Sequence, residues 1–487
     1  MLPSPEDLNL NAHHAALRAP ALLAALLALL TGCATAPDAI PGKRHSTQEL
    51  LSYQPGDFRW QPTRAGAEEA ARERDLSLLR QRLSLAPGSA EAQAALPEIL
   101  AAVLHYNTEI DAARAPALSG LTGLETKPVD VQRAVLSAVY RFYAPEASAQ
   151  LWSLLPKLSS PREFAIAANA LLKPLTGPAR QSAAAQIKAQ MQLSFPTTWA
   201  DEPRLRALSW PLDQALQPRA PALTPPPLAD LLAAPLRPGY PVVFSLQRPG
   251  REVLGLALLR GADGRFVREA DGRLFQVPQL ARALSNLPGT ITLGNTPQGI
   301  FAVRGSSTAS NPSIGPTPFL ETKLPIEASV SEFFQVDGSD LDWSEPLYAA
   351  LLPPSWQAWE PIKEAWLAGR AGRDEILMHG SVVNPDYYRG ASYYPATPTA
   401  GCLTAPEQWD PANGRLLASG QLQLAQAFAR AYSQAQERNP GGLDPMVKGY
   451  LVMVELPGND GAGGPVQAAE LEASVQAAEQ RWLSRPR

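Results

Sequence analysis

Between residues 67 and 215 apolar residues recur three and four positions apart, which predicts a helical domain. In "VQRAVLSAVYRFY" (131–143) the repeat marks one amphipathic helix. Ser160-Pro161-Arg162-Glu163 sets a capping box and a proline at the first helical position ahead of another, "FAIAANALL". The two begin about thirty residues apart, with "EASAQLWSLLPKL" between them, a spacing that suits stacked helix pairs. A short α-solenoid and a compact helical bundle both satisfy it. Ser46-Thr47-Gln48-Glu49 has capping-box spacing upstream.

The proline-dense stretch 216–237 ends this pattern and reads as a semi-rigid linker or a wrapped connection. Beyond it the period becomes two. "PVVFSL", "VLGLALL", "RFVRE", "GTITLG", "GIFAVRG", "LPIEAS" and "GYLVMVEL" are strand-type runs, and Asp263-Gly264 and Asp271-Gly272 suit tight hairpin turns. Helices are expected at about 345–369 and 413–438. The expected fold class is α+β and multidomain. An all-α domain (67–215) precedes a β-rich domain with inserted helices (238–457), and a C-terminal loop, "GNDGAGGP", and helix (458–487) follow.

The amino terminus changes the address. Arg18 precedes "APALLAALLALL", an apolar run too short to span a bilayer but fitting the centre of a secretory signal. Its ending, Leu30-Thr31-Gly32-Cys33, resembles the lipobox of bacterial lipoproteins. That resemblance implies a signal peptide over 1–32, lipidation of Cys33, and a tether over 33–66. Ala34 and Thr35 follow without the aspartate associated with inner-membrane retention, so an outer-membrane anchor facing the periplasm is expected. In an oxidising compartment cysteines pair, yet lipidation of Cys33 leaves Cys402 no partner. Cys402 is then either buried and inert, or used.

A net charge of −4 with no concentrated basic window excludes a nucleic-acid surface. Five scattered histidines give no zinc cluster, and no P-loop, Rossmann fingerprint or G-x-S-x-G elbow is present. No metal or cofactor is implied.

The chemistry concentrates at 379–407, which holds His379 and Cys402. A thiol is a nucleophile as thiolate, and a neighbouring imidazole can take its proton. "DEILMHGS" reads as a buried strand ending at His379, whose second nitrogen needs an acceptor such as Ser381 or a backbone carbonyl. Gly401 permits close backbone approach and a turn whose N–H groups face a developing oxyanion. Tyr387, Tyr388, Tyr393 and Tyr394, with Arg389 among them, form either a lid that meets a substrate carboxylate or the packing of a long loop. Trp343, Trp356, Trp359 and Trp366 are expected in the core rather than on a glycan, His105 is expected to be structural, and Thr296, Pro297 and Gly299 to shape a turn.

The order "NTPQGIFAVRG" (295–305), "MHGS" (378–381), "TAGCLT" (399–404), a helix and "GYLVMVEL" resembles the YkuD-type L,D-transpeptidase catalytic domain. The resemblance covers 238–457 and implies acyl transfer on a peptidoglycan stem tetrapeptide, with no cofactor. Cys402 attacks the carbonyl between the third and fourth residues, D-alanine leaves, and an amine resolves the thioester; with water the product is that of an L,D-carboxypeptidase. His379 is implied as base, Gly401 and Ser381 as its catalytic neighbours. Gly380, Thr399 and the tyrosine–arginine loop are assigned to the substrate. The family's histidine two before the cysteine is Ala400 here, and the arginine or asparagine two after it is Thr404. These departures favour a second reading, a catalytically weak or inactive murein-binding scaffold whose helices bind protein partners.

Overall fold

Strand alternation in the C-terminal half divides apolar side chains between two faces of one sheet, and helices cover both. The structure, a computed structural model, describes residues 42–60, 67–218, 224–437 other than 310, 312, 337, 339 and 340, 445–457 and 464–485. The expected signal peptide (1–32), Cys33 and "GNDGAG" (458–463) lie outside the described residues. The strands are β1 (Val242–Gln247), β2 (Gly255–Arg260), β3 (Gln276–Gln279), β4 (Gly299–Ser307), β5 (Phe319–Lys323), β6 (Leu377–Gly380), β7 (Leu403–Ala405), β8 (Glu407–Trp409), β9 (Leu416–Ser419) and β10 (Gly449–Glu455).

Eight of them form a sheet in the order β3-β2-β1-β10-β4-β5-β6-β7, antiparallel except for the pairs β1–β10 and β6–β7. The chain is thus α+β, with many helices beside a large, mostly antiparallel sheet. The sheet's two ends meet just past β3, where Leu280 N–H donates to the Thr404 carbonyl at 2.8 Å and Thr404 N–H returns the bond at 2.9 Å. This bridge pins the start of β7, and with it the Gly401–Cys402 turn.

Val243, Leu259, Phe301, Met378 and Leu403 pack with Phe428 and Leu424 of the Gly420–Glu437 helix. On the opposite face Phe244, Leu258, Ile300, Tyr450 and Val452 meet Trp356, Trp359 and Trp366, and also Val475 of the Ala468–Leu483 helix. The tryptophans are therefore core residues, as their spacing implied. Burial on both faces explains why β1 and β10 read as nearly continuous apolar runs. Each large side chain so covered contributes roughly 1.5–3 kcal/mol.

The helices between Ala67 and Leu216 share one core, built on Leu100, Val103, Val135, Phe164, Ile187 and Leu208. Leu287 and Ile291, from the sheet side, complete it. Polar ties cross the same boundary: Asn384 N–H to Glu68 at 2.8 Å, Arg206 to Glu360 at 2.7 Å, and Arg370 to Asp201 at 3.0 Å.

Several sequence expectations change. Residues 42–60, assigned to the tether, are docked: the Ser46–Glu49 capping box opens a Thr47–Ser52 helix whose Leu50 is fully buried against the Gly420–Glu437 helix. Within the linker, Leu228–Leu232 is a short helix with Leu231 and Leu232 buried. Ser160 makes no capping bond to the backbone, because its hydroxyl turns to the Glu163 carboxylate instead, although Pro161 does start the helix. "GTITLG" is a turn rather than a strand, since the carbonyls of Gly289 and Gly294 are taken by the Arg373 guanidinium instead of a strand partner. "LPIEAS" is likewise a turn, with Ile326 at φ 74°, and the strand it suggested lies just upstream as β5. "RFVRE" contributes only isolated bridges, Phe266 to Arg260 and Arg268 to Leu274, around Gly264 and Gly272 at φ 83° and 86°.

Candidate active site

His379 lies on β6 and Cys402 immediately precedes β7, on neighbouring parallel strands. Register pairs His379 with Thr404, two positions beyond Cys402. At strand spacing, the Cα atoms of the two residues are about 8 Å apart. His379 is 3 % exposed and Cys402 is partly exposed, and each uses a backbone partner.

The imidazole is oriented by its neighbour. Its Nδ1–H donates to the Gly380 carbonyl at 2.5 Å, which fixes the tautomer and leaves Nε2 as the basic nitrogen. Burial pulls His379 down to about 4, and the Gly380 carbonyl offsets this only in part. Ser381, the expected acceptor, is engaged elsewhere: its hydroxyl meets Thr397 Oγ1, and its carbonyl accepts from Trp409 Nε1 at 3.2 Å. Gly380 has no room for a side chain because the Glu407 carboxylate lies against it. Burial pushes that carboxylate up to about 7, with Ser419 Oγ donating to it at 2.7 Å.

Cys402 turns toward the start of β6. Leu377 N–H donates to Sγ at 3.4 Å, and the thiol faces the Glu375 carbonyl at 3.7 Å. Burial raises the thiol to about 11, against lowering contributions from the Leu377 N–H and the Arg373 charge. The thiol therefore holds its proton and the imidazole is neutral at pH 7. Each side chain is engaged by backbone rather than by the other.

Gly401 has φ 137°, and a side chain there would run into Arg373 Nη2 and the Gly294 carbonyl. Its N–H donates to Thr399 Oγ1 at 3.0 Å, so the oxyanion donor expected from Gly401 is occupied. Thr399 Oγ1 also donates to the Cys402 carbonyl at 2.9 Å, giving this residue a turn-closing role. Thr296, assigned to turn shaping, reaches the same turn: its hydroxyl donates to the Gly401 carbonyl at 2.8 Å.

The tyrosine loop is packed rather than poised as a lid. Tyr388 and Tyr393 are each 2 % exposed and cluster with Leu280 and Ala396. Arg282 lies 4.8 Å from the centre of the Tyr393 ring, and Tyr387 packs against Tyr106 and beneath Arg72. Arg389 and Tyr394 are exposed and both bond to Asp386, at 2.7 Å and 3.2 Å. The loop is thus the fastening between helices and sheet. A cavity of about 400 Å³ lies on the other side of the turn, between the Ala90–Tyr106 and Val129–Ala138 helices and Leu284, Leu293, Thr399 and Ala400.

Arg373 and Glu407 were not read as site residues from the sequence. The signal for Arg373 was a charged Arg373-Asp374-Glu375 cluster directly before an apolar strand; nothing marked Glu407. Among the described residues there is no cluster arranged to hold a metal ion, and no helix long and apolar enough to cross a membrane. No protein-family model, curated protein or solved structure matches the chain.

Proposed function

We propose that this chain is an L,D-transpeptidase-like cysteine acyl-transferase that acts on peptidoglycan stem tetrapeptides, held to the outer membrane through a lipidated Cys33 and facing the periplasm. The observation that carries the reading is His379 Nδ1–H on the Gly380 carbonyl, which leaves Nε2 to act as a base one strand away from the free thiol of Cys402.

In this reading Cys402 leaves the Glu375 carbonyl and gives its proton to Nε2. The thiolate attacks the carbonyl between the third and fourth stem residues, forming a C–S bond. As the tetrahedral intermediate collapses, the C–N bond breaks and the departing D-alanine amine takes the proton back from His379. An acceptor amine then attacks the thioester and gives its proton to Nε2; the C–S bond breaks, and the released Cys402 thiolate takes that proton back, while water in place of the amine gives carboxypeptidase activity.

Three observations favour a second reading, a murein-binding scaffold of weak or no activity. The thiol is raised to about 11, the Gly401 N–H is occupied, and Ala400 stands where the family has histidine. The packed helices would then serve protein partners.

The two readings separate by intact-protein mass spectrometry of the soluble chain after incubation with a carbapenem and, separately, with a disaccharide-tetrapeptide. An adduct or D-alanine release that disappears in Cys402→Ala supports the enzyme. No adduct and no release from a folded protein supports the scaffold.

A further inference from the structure

A cavity of about 500 Å³ lies between the Pro161–Leu172 and Pro203–Leu216 helices and the sheet, and neither His379 nor Cys402 lines it. That volume falls in the range of small-molecule sites.

One wall is built at the end of β10. Glu455 N–H donates to Gln298 Oε1 at 2.9 Å, and Glu455 Oε1 accepts from Arg251 Nε at 2.7 Å. The first bond fixes the sense of the Gln298 carboxamide, with Nε2 as its donor end. Arg251 Nη1 donates to the Ala281 and Thr296 carbonyls at 2.9 and 3.2 Å. Gln298 Nε2 and Arg251 Nη2 meet no acceptor among the described residues, yet neither nitrogen is sealed away, although the two residues are only 7 % and 2 % exposed. Polar groups on residues buried this deeply ordinarily have a partner, and a molecule in the cavity that both residues line would supply one. Arg251 also holds φ 55°, unfavourable for a residue with a Cβ, and Asn286 Nδ2 fastens its turn by donating to the Gly250 carbonyl at 3.0 Å.

The helical wall carries Trp210 and Asn169. Trp210 is partly exposed, and its ring meets that of Trp359 edge-on at 6.0 Å. Asn169 Nδ2 donates to the Ala165 carbonyl at 2.8 Å, which leaves Oδ1 as the acceptor end.

Charge selects among ligands. Three arginines and three glutamates line the cavity. Arg206 pairs with Glu360 and Arg251 with Glu455, each at 2.7 Å, and Arg204 pairs with Glu202 at 2.8 Å. Glu364 is held instead by the N–H groups of Gly289 and Gln298, at 2.8 and 2.9 Å. Every lining cation thus has a carboxylate partner, and no positive charge is left to draw an anion. What remains are oriented donors, an acceptor and an indole face.

We propose that this cavity binds a neutral saccharide of about two sugar units. Its hydroxyl or amide oxygens accept from Gln298 Nε2 and Arg251 Nη2, a hydroxyl donates to Asn169 Oδ1, and a ring face packs on Trp210. The site and its test are independent of the acyl-transfer reading.

The test is isothermal titration calorimetry of the full chain with N,N′-diacetylchitobiose and, separately, with the glutarate dianion. The disaccharide should bind with a Kd of about 1 mM or tighter. Raising NaCl to about 0.5 M should change that value less than about two-fold, because contacts to a neutral ligand are not screened. Glutarate should bind more weakly. Trp210→Leu removes the indole face and should weaken disaccharide binding about ten-fold or more. Gln298→Glu keeps the acceptor for Glu455 N–H, removes the donor and should weaken it about five-fold or more.

A folded parent chain that takes up no diacetylchitobiose overturns the proposal. So does binding that the folded variants retain at parental strength, because the sugar then sits elsewhere, and so does a preference for glutarate. If Gln298→Glu does not fold, Trp210→Leu decides alone, since it alters a partly exposed position.

Discussion

The Tyr388 hydroxyl donates to the carbonyl of His105 at 2.6 Å, joining the loop between His379 and Cys402 to the last turn of the Ala90–Tyr106 helix. Carbonyls in the final turn of a helix have no partner within it, so this hydroxyl fills a vacancy that folding would otherwise leave in a mostly buried place. Tyr388→Phe keeps the ring and removes only the bond. It should lower unfolding stability by about 1–2 kcal/mol in a denaturant titration, and it should increase protease cleavage in the 384–396 loop.

Two buried groups beside each other should tilt the stability curve in opposite directions. His379 is held at about 4, below its unfolded value, so the unfolded chain binds more protons between about pH 6.5 and 4. Acidification through that window therefore costs stability, on the order of 3 kcal/mol for this group. His379→Asn, which retains a donor for the Gly380 carbonyl, should flatten the loss when unfolding is followed from pH 7 to 4.

Glu407 runs the other way. Its carboxylate is raised to about 7, so its stabilising protonated form is complete below about pH 4.5 and is lost as pH climbs through 7. Glu407→Gln should raise stability at pH 8 by on the order of 1–3 kcal/mol and change little at pH 4.5. An equal effect at both pH values would mean that the carboxylate is not held protonated in the fold.

The sequence displayed the parts of this molecule whose periodicity is local. β1, β2, β4 and β10 announce themselves because both faces are buried, and the hairpin turns at Gly264 and Gly272 because glycine there takes positive φ. It did not display β7, β8 or β9, which are three or four residues long and exist through their partners. It misread 289–294 for a related reason: alternating Thr290, Ile291 and Thr292 look like a strand, while the conformation is set by Arg373, some eighty residues away. At the site, the sequence drew attention to His379 and Cys402, but which backbone groups they engage depends on strand register, and no local pattern carries that.

Gly401 is where backbone and site are most tightly bound together. Its φ of 137° is unfavourable for any residue with a Cβ, and the space beside it is filled by Arg373 and, at 2.8 Å, the Gly294 carbonyl. Gly401→Ala should cost on the order of 2–4 kcal/mol in chemical denaturation, and it should free the Cys402 thiol for faster alkylation by displacing the turn. A substitution tolerated within about 0.5 kcal/mol would show that the turn has another available conformation.

One residue earlier the expectation reverses. Ala400 lines the cavity of about 400 Å³ between the helices and the sheet, on a wall that is largely apolar and only partly covered. An imidazole introduced there has space to enter without displacing backbone, and its polar edge can reach solvent at the intermediate exposure of this position. Ala400→His should therefore leave unfolding stability within about 1 kcal/mol of the parent, in contrast to its neighbour. Because it places a basic side chain two positions before Cys402, it also separates the two functional readings. A chain that keeps the acyl-transfer machinery in a resting state should form the carbapenem adduct faster with histidine at 400, and the gain should vanish in Ala400→His combined with Cys402→Ala. If the folded single variant forms no adduct at any pH between 6 and 9, the flanking residue is not what limits the thiol. The position of Sγ against the Glu375 carbonyl then becomes the obstacle that any activation has to remove.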